Sequence, residues 1–363
     1  MARDILDYLA ATREHGGSDL HLTANAPPAA RIDGKLTPLE EHDFEPAHIR
    51  ELIMAVLTDT QRARLDKDWD LDFALQVEGV GRFRGNAHIA RGNVEAAFRY
   101  VPAEAPELDS LGHSPQVAAF CKARQGLLLV TGMTGTGKST TLAAITRRIL
   151  ETRSNMVITV EDPIEFVFEH KYGLIKQRQI GHDTHSFPAA LRAAMRSDVD
   201  VIVVSEMRDQ ESIAAALTAA ETGHLVISTL HTRHCVGALD RIVDVFPAQQ
   251  QPQIITQMAS ALIGVISQRL LPRADAAGRV MTSEVMVVTD GIRGAIHDHR
   301  FEQIQSLIQI GNSHGMHTFD DSLLHLLKGG YITLEDAMLN ARDGESVKHD
   351  FQEHLRAQAK RRG

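Results

Sequence analysis

Ten residues constrain this chain more than any others: GMTGTGKSTT at 132–141, directly after the apolar run GLLLV at 126–130. They fill the pattern G-x-x-x-x-G-K-[ST] with Gly132, Gly137, Lys138 and Ser139. The glycines permit backbone angles at which successive N–H groups can point at phosphate oxygens. A buried strand, a glycine-rich loop (the P-loop, residues 132–139) and a helix in this order predict a binding site for a nucleoside triphosphate.

The side chains of the P-loop have separate predicted tasks. Lys138 places a cation on the β and γ phosphates, and Ser139 offers a hydroxyl to Mg²⁺. The following run STTLAAITRRIL is typical of a helix whose positive N-terminal end faces the same phosphates. The predicted cofactors are therefore ATP and Mg²⁺. The nucleotide-binding residues predicted here are Gly132, Thr134, Gly135, Thr136, Gly137, Lys138, Ser139 and Thr140.

Composition narrows the class of protein. The chain has 363 residues, which suggests about two domains, and its net charge of −9 gives no support for a nucleic-acid partner. The two cysteines, Cys121 and Cys235, are too few for a disulfide framework or a zinc ribbon and fit a reducing compartment. No stretch approaches the roughly 20 apolar residues needed to span a bilayer. We expect a cytoplasmic protein whose membrane association goes through a partner.

The first 101 residues predict a small α+β domain. RDILDYLAATRE has apolar residues at helical spacing, and SDLHLTANAPPAARIDGKLTPL indicates two strands around a Pro-Pro turn. EPAHIRELIMAVLTDTQRARL is typical of one amphipathic helix. The alternation in DLDFALQVEGVGRFRGNAHIARGNVEAAFRY predicts antiparallel hairpins. A proline-rich and acidic stretch at 102–112 is interpreted as an interdomain linker.

After this linker the pattern changes to alternating strands and helices. GLLLVTG, MVITVED, VDVIVVSE and HLVISTLH suit central parallel strands, and FPAALRAAMRS and QESIAAALTAAETG are helical. The alternation predicts a doubly wound α/β domain over residues 113–290, with its site at the carboxyl ends of the strands. Residues 291–363 are expected to form a helical region.

Polar residues stand where the apolar runs end. Glu161 and Asp162 close one run, with Glu165 three residues on, while Glu206 and His231 close two others. Carboxylates at adjacent strand ends could hold Mg²⁺ through water and polarise an attacking water. A histidine there could report on the γ-phosphate. The alternative interpretation is that these acids are solvated turn residues.

Several motifs identify a family. EDPIEF, EMRD, TGHLVISTLHT and the segment from DRIVDVFP to SQRLLPR closely resemble the secretion-type hexameric ATPases, and among these the PilT-type retraction ATPases of type IV pili. SDLHL and RFRGN near the N-terminus also match, so the resemblance covers nearly the whole chain. It implies a hexamer that holds nucleotide between a PAS-like N-terminal domain and a RecA-like C-terminal domain.

The resemblance also implies roles for residues outside the P-loop. Glu206 corresponds to the Walker B acid and is our leading candidate for the catalytic carboxylate. Arg84 and Arg99 fall where the family places arginines that reach the nucleotide's phosphates, and Arg82 is a third candidate. The Asp box residues are Glu161, Asp162 and Glu165, and the His box residues are His224 and His231. The predicted catalytic set is Glu206, Glu161, Lys138 and His231, and the predicted Mg²⁺ set, acting partly through water, is Ser139, Glu161 and Glu206.

The chain departs from the family pattern at four places. Met133 replaces a proline of the P-loop, and Ser205 replaces a glycine before the Walker B acid. HTRHC replaces HTNSA, which places Arg233 and His234 near the site. The largest change is GIRGAIHDHR at 291–300, where the family carries the AIRNLIRE segment needed for retraction.

The resemblance implies a hexameric Mg²⁺-dependent ATPase that powers pilus retraction. Its expected partners are five further copies of the chain, an inner-membrane pilus platform protein and a paralogous retraction ATPase. Alternatives from the same superfamily are a PilU-like accessory ATPase and an extension ATPase, although extension ATPases usually carry a tetracysteine zinc site. A nucleotide-binding subunit without motor activity and a nucleic-acid translocase are alternatives from other classes.

Overall fold

The structure is a computed structural model that describes residues 3–32, 34–101 and 104–362, with side chains described to residue 357. Residues 102–103 of the predicted linker, and residue 363 of the predicted helical region, lie outside the described residues. The chain divides into two compact units. The first unit comprises Met1–Glu104 with Pro163–Val167, and the second comprises Ala105–Asp162 with Phe168–Gly363.

The first unit contains a six-stranded antiparallel sheet with the strand order β3-β2-β1-β6-β5-β4. Its apolar core includes Phe83 and Phe98, which are fully buried. The strands are β1 Asp19–Leu22, β2 Ala29–Ile32, β3 Lys35–Pro38, β4 Asp70–Val77, β5 Gly81–Ala90 and β6 Asn93–Val101. The helices are α1 Ile5–Glu14, α2 Pro46–Ala55 and α3 Asp59–Asp68.

Two details of the predicted first domain were wrong. The stretch around the Pro-Pro turn forms three strands rather than two, because the exposed β3 pairs with β2 without an apolar face of its own. The single predicted amphipathic helix is two helices, α2 and α3. Thr58 ends the continuity, since its hydroxyl accepts from the backbone N–H of Gln61 and the Gln61 side chain accepts from the N–H of Thr58.

The second unit is built on a seven-stranded sheet with the order β13-β12-β7-β11-β10-β8-β9. Every neighbouring pair is parallel except β12 and β13, which are antiparallel. These strands are β7 Gly126–Thr131, β8 Met156–Glu161, β9 Leu174–Gln179, β10 Val201–Val204, β11 Leu225–Leu230, β12 Leu262–Pro272 and β13 Arg279–Val287.

Helices cover both faces of this sheet, because β7, β10 and β11 are buried at every position. The helices are α4 Pro115–Phe120, α5 Lys138–Thr152, α6 Phe187–Ala194, α7 Gln210–Glu221, α8 Cys235–Asp244, α9 Gln251–Ala261, α10 Asp290–His297, α11 Ile304–Gln309, α12 Phe319–Lys328, α13 Leu334–Asn340 and α14 Gly344–Arg362. The predicted class, an α/β domain preceded by a smaller α+β domain, is confirmed.

The four predicted central strands are present and parallel, but β9, β12 and β13 had not been predicted as strands. β9 lies at one edge of the sheet and is only partly buried, so it lacks the continuous apolar run of a central strand. In the described part of the chain, no helix combines the length and the apolarity needed to cross a membrane.

Candidate active site

The P-loop connects β7 to α5 as predicted. Gly132, Gly135 and Gly137 have φ angles of 151°, 80° and 88°, which side chains rarely adopt. At Gly132 there is also no space, since a Cβ atom would lie 2.4 Å from Thr136 Oγ1 and 2.6 Å from the carbonyl oxygen of Gln268. A side chain at this position would therefore both strain the backbone and displace the loop.

Two side chains of the loop converge on one backbone oxygen. The hydroxyl of Thr136 donates to the carbonyl oxygen of Met133 at 2.8 Å, and Lys138 Nζ donates to the same oxygen at 3.1 Å. Lys138 is 8% exposed, at the first position of α5. Its ammonium group is therefore held at the loop, where a phosphate would be a stronger acceptor than a neutral carbonyl.

Two residues from distant strands hold the loop in place, and no local sequence pattern indicates this role for either of them. Gln268 of β12 is 1% exposed, and its Nε2 donates to the carbonyl oxygen of Thr136 at 2.7 Å. Arg279 of β13 donates to the carbonyl oxygen of Gly135 at 3.3 Å. Gln268 lies within the family match SQRLLPR, but only the pairing of β12 with β7 shows that it reaches the loop.

The predicted catalytic residues follow one another along the carboxyl edge of the sheet. Leu230 of β11 pairs with Thr131 of β7, so His231 comes directly beside the P-loop. The next strand, β10, leads to Glu206, and the one after, β8, ends at Glu161. Since neighbouring strands are about 4.8 Å apart, β10 lies roughly 10 Å from β7 and β8 roughly 14 Å away.

Both carboxylate oxygens of Glu206 are engaged. Arg208 Nη2 lies 2.8 Å from Oε2, and His231 Nε2 donates to Oε1 at 3.1 Å. Partial burial would raise the pKa of Glu206, but the hydrogen bond from Arg208 and the neighbouring His231 outweigh burial and lower the pKa from its ordinary value of 4.5. Glu206 is therefore a charged acceptor at neutral pH.

Glu161 is held differently from Glu206. Its Oε1 accepts from the hydroxyl of Thr159 at 2.6 Å and from the side-chain amide of Gln177 at 3.1 Å. These two donors are neutral and help to fix the orientation of the carboxylate. Of the other Asp box residues, Asp162 is exposed, and Glu165 belongs to the segment that groups with the first unit.

The second His box residue lies elsewhere. His224 precedes β11 at the opposite end of that strand from His231, and its Nδ1 lies 3.0 Å from the carbonyl oxygen of Ala219. A six-residue strand separates the two histidines, which corresponds to roughly 20 Å. The structure therefore does not bring His224 to the P-loop of its own subunit.

The candidate arginines occupy adjacent strands of the first unit. Arg84 of β5 pairs directly with Arg99 of β6, so their like charges lie side by side, and Arg82 is two residues before Arg84. Arg99 Nε donates to Asp19 Oδ1 at 2.8 Å, and Asp19 is only 7% exposed. This buried carboxylate offsets part of the repulsion and fixes one edge of the Arg99 guanidinium.

The donor set fits Mg²⁺ bound together with a nucleotide. Among the described residues no group of three or more His, Cys, Asp or Glu side chains could hold a metal ion by itself. The candidates are hard oxygen donors: the Ser139 hydroxyl and the carboxylates of Glu161 and Glu206. Mg²⁺ in phosphate sites takes one or two such ligands and keeps several waters.

Comparison with known proteins identifies the family. Residues 3–339 match the family described as "Type II/IV secretion system protein". The chain belongs to this secretion ATPase family. The family and the geometry of the P-loop together make it a P-loop ATPase with a RecA-like domain.

Two relatives and one solved structure are similar to this secretion ATPase over most of its length. The type IV pilus retraction ATPase PilT of Pseudomonas aeruginosa is 41% identical over 348 residues, covering 96% of this chain and 100% of PilT. The type IV pilus ATPase PilU of the same organism is 33% identical, covering 92% of this chain and 88% of PilU. A crystal structure of the pilus retraction motor PilT with bound ADP has a TM-score of 0.90 and 44% identity, covering 96% of this chain and 100% of that one.

Replacing Gln268 by Met should loosen the P-loop at nearly constant side-chain volume. The partly buried carbonyl oxygen of Thr136 loses its side-chain donor, which costs about 0.5–1.5 kcal/mol of stability. We expect a lower Tm and weaker ATP binding, measured by thermal unfolding and calorimetric titration. Gln257→Met is the control, because the Gln257 amide makes an exposed hydrogen bond to Glu221 and, among the described residues, no other. Equal Tm and ATP affinity in the Gln268 variant and the wild type would contradict the bracing role.

Replacing Arg208 by Gln should move the acid limb of the ATPase pH profile to higher pH. Arg208 helps to lower the pKa of Glu206, so its removal raises that pKa, and the carboxylate is lost to protonation at a less acidic pH. The measurement is kcat/KM for ATP across the acid range, which reports ionisations of the free enzyme. Arg192→Gln, on the exposed side of α6, should leave the profile unchanged. An unshifted acid limb in the Arg208 variant would show that Arg208 does not set this pKa.

Proposed function

We propose that this ATPase is a Mg²⁺-dependent motor that powers type IV pilus retraction as a homohexamer. In this proposal it works at the cytoplasmic side of the inner membrane, where it acts on the pilus platform protein. The observation that carries the proposal is the row formed by the P-loop, His231 and Glu206. It occurs in a chain that matches a retraction ATPase over almost its full length.

ATP binds through the P-loop in this scheme. The backbone N–H groups of Gly132–Gly137 and the N-terminus of α5 surround the phosphates, and Lys138 adds a full positive charge. Its ammonium group exchanges the Met133 carbonyl for phosphate oxygens without leaving the loop. Ser139, with Glu161 and Glu206 partly through water, would hold Mg²⁺, which when bound neutralises phosphate charge.

Glu206 positions and polarises the attacking water. It is ionised at neutral pH and accepts one contact at each oxygen, from Arg208 and from His231. Each oxygen has a second lone pair, so water can donate to Glu206 while both contacts stay in place. His231 follows the strand between those that lead to Glu206 and to the P-loop, so contact of its ring with the terminal phosphate would couple the acid to the bound nucleotide.

The first unit contributes positive charge to the transition state. Asp19 engages only Nε of Arg99 in the contacts described above, which leaves the terminal nitrogens of that guanidinium for phosphate oxygens. Arg84, its direct neighbour across the strand pair, is proposed to act with it. Movement of this unit with the nucleotide state would then convert hydrolysis into motion.

The altered segment at 291–300 is relevant to whether this ATPase can drive pilus retraction by itself. The residues kept from the family pattern anchor α10: Ile292 and Ile296 are fully buried, and Arg293 donates to the carbonyl oxygens of Ala259 and Ser260. The residues at 297–300, by contrast, are exposed. The helix is therefore preserved while its solvent-facing end is changed, which favours a PilU-like accessory retraction ATPase as the second candidate.

A complementation experiment separates these candidates. Pilus retraction is measured in cells that lack their own copy and receive the wild type, Glu206→Gln or the control Glu78→Gln, an exposed residue of the turn after β4. We expect the wild type and the control to restore retraction. The Glu206 variant should fail, with purified ATPase activity lowered roughly a hundredfold or more because the water acceptor is lost.

The wild type is also the test of the second candidate. Normal ATPase activity in vitro without retraction in the cell would overturn the stand-alone motor and support the accessory function. A Glu206 variant that still hydrolyses ATP at the wild-type rate would instead show that another group activates water.

A further inference from the structure

The P-loop opens into a cavity of about 480 Å³ within the second unit. One wall consists of Gly132–Thr136 of the loop, and another of Gln268–Leu271 of β12. The remaining lining residues are Arg233 and His234, which follow β11, and Asn340 at the end of α13. The part of the P-loop that lines the cavity ends at Thr136, so the cavity adjoins the phosphate-binding residues Gly137, Lys138 and Ser139.

The charged side chains that line this cavity are cationic, and the nearest carboxylates, Glu284 and Asp320, lie outside the lining near Arg269. The lining contains two guanidinium groups, Arg233 and Arg269, and no Asp or Glu side chain among the described residues. His234 adds no charge to the lining. Burial lowers its pKa, so the ring is neutral at physiological pH. An anion is therefore the ligand that this cavity favours electrostatically.

The two arginines differ in what they already contact. Arg269 Nη1 donates to the carbonyl oxygen of Asn340 at 2.8 Å, and its guanidinium lies 4.2 Å from the ring centre of Phe319. Arg233 is exposed, and in the part of the chain that the structure describes it has no hydrogen bond or ion pair. Arg233 therefore has its full set of donors available to a ligand in the cavity.

The position of Arg233 along the sheet edge indicates which phosphate it meets. It follows His231 by two residues, and His231 lies between the P-loop and Glu206. Arg233 therefore belongs to the same loop after β11 that brings His231 beside the P-loop. The resembling family has an asparagine here, within HTNSA, and an asparagine cannot supply a charge.

We propose that Arg233 binds the terminal phosphate of the ATP held by the P-loop of its own subunit. The assignment rests on the proposed function, because it requires the P-loop to bind ATP. It gives this chain a phosphate-binding cation on the His box loop itself, in addition to Lys138 and to the arginines of the first unit.

The test compares two nucleotides, ADP and the non-hydrolysable ATP analogue AMP-PNP, by calorimetric titration of the full-length chain. For Arg233→Asn we expect AMP-PNP affinity to fall roughly ten- to a hundredfold, the range for a charged hydrogen bond, and ADP affinity to change by less than about threefold. Arg233→Lys should bind AMP-PNP more tightly than Arg233→Asn but more weakly than the wild type, because lysine retains the charge but lacks the paired N–H donors of a guanidinium. Arg241→Asn, on an exposed position of α8, is the matched control and should behave as the wild type.

Two results would overturn the assignment. AMP-PNP affinity unchanged in Arg233→Asn would show that the side chain does not touch the terminal phosphate. Equal loss of ADP and AMP-PNP affinity together with a lower Tm would show that Arg233 is structural. A wild-type chain that binds neither nucleotide would be a different failure, since it would overturn the proposed function and the assignment of Arg233 with it.

Discussion

The parallel pairing of β11 between β7 and β10 determines where all the groups of the site lie. Each strand delivers one element to the same edge: β7 the P-loop, β11 His231 and β10 Glu206. In this order the histidine follows the middle strand, and its ring contacts Glu206 on one side. The distance of roughly 10 Å between β7 and β10 leaves space for a phosphate and a water between the loop and the acid. An antiparallel β11 would send His231 to the far edge, where His224 now lies.

The two charged groups nearest the proposed reaction are held by contacts within the protein before ATP binds. Glu206 is ionised, but it is held between Arg208 and His231. Lys138 is placed at the loop, but it donates to the loop's own backbone. Each group therefore carries the charge that the reaction needs and is already oriented by contacts within the protein. Both keep further hydrogen-bonding capacity, since an ammonium has three N–H donors and a carboxylate has about four lone-pair sites.

The sequence predicted the parts of the molecule whose signals are local. The P-loop pattern, the apolar runs of β7, β8, β10 and β11, and the polar residues that follow them were all readable from adjacent residues. The break at Thr58 has a local signal as well, because Thr58 and Gln61 have the spacing of a capping box, but the prediction of one continuous helix overlooked it. Gln268 could not be found in this way, because its contact with Thr136 spans 132 residues and depends on the pairing of β12 with β7. The same holds for Arg233, whose role depends on a cavity lined by four separate segments.

Consecutive residues of β12 grip two different parts of the second unit. Gln268 donates to the P-loop at Thr136, and Arg269 donates to Asn340 at the end of α13. The P-loop and α13 are therefore held by neighbouring residues of one strand, and both line the same cavity. A displacement of the loop would act on α13 through the single peptide unit that joins Gln268 to Arg269.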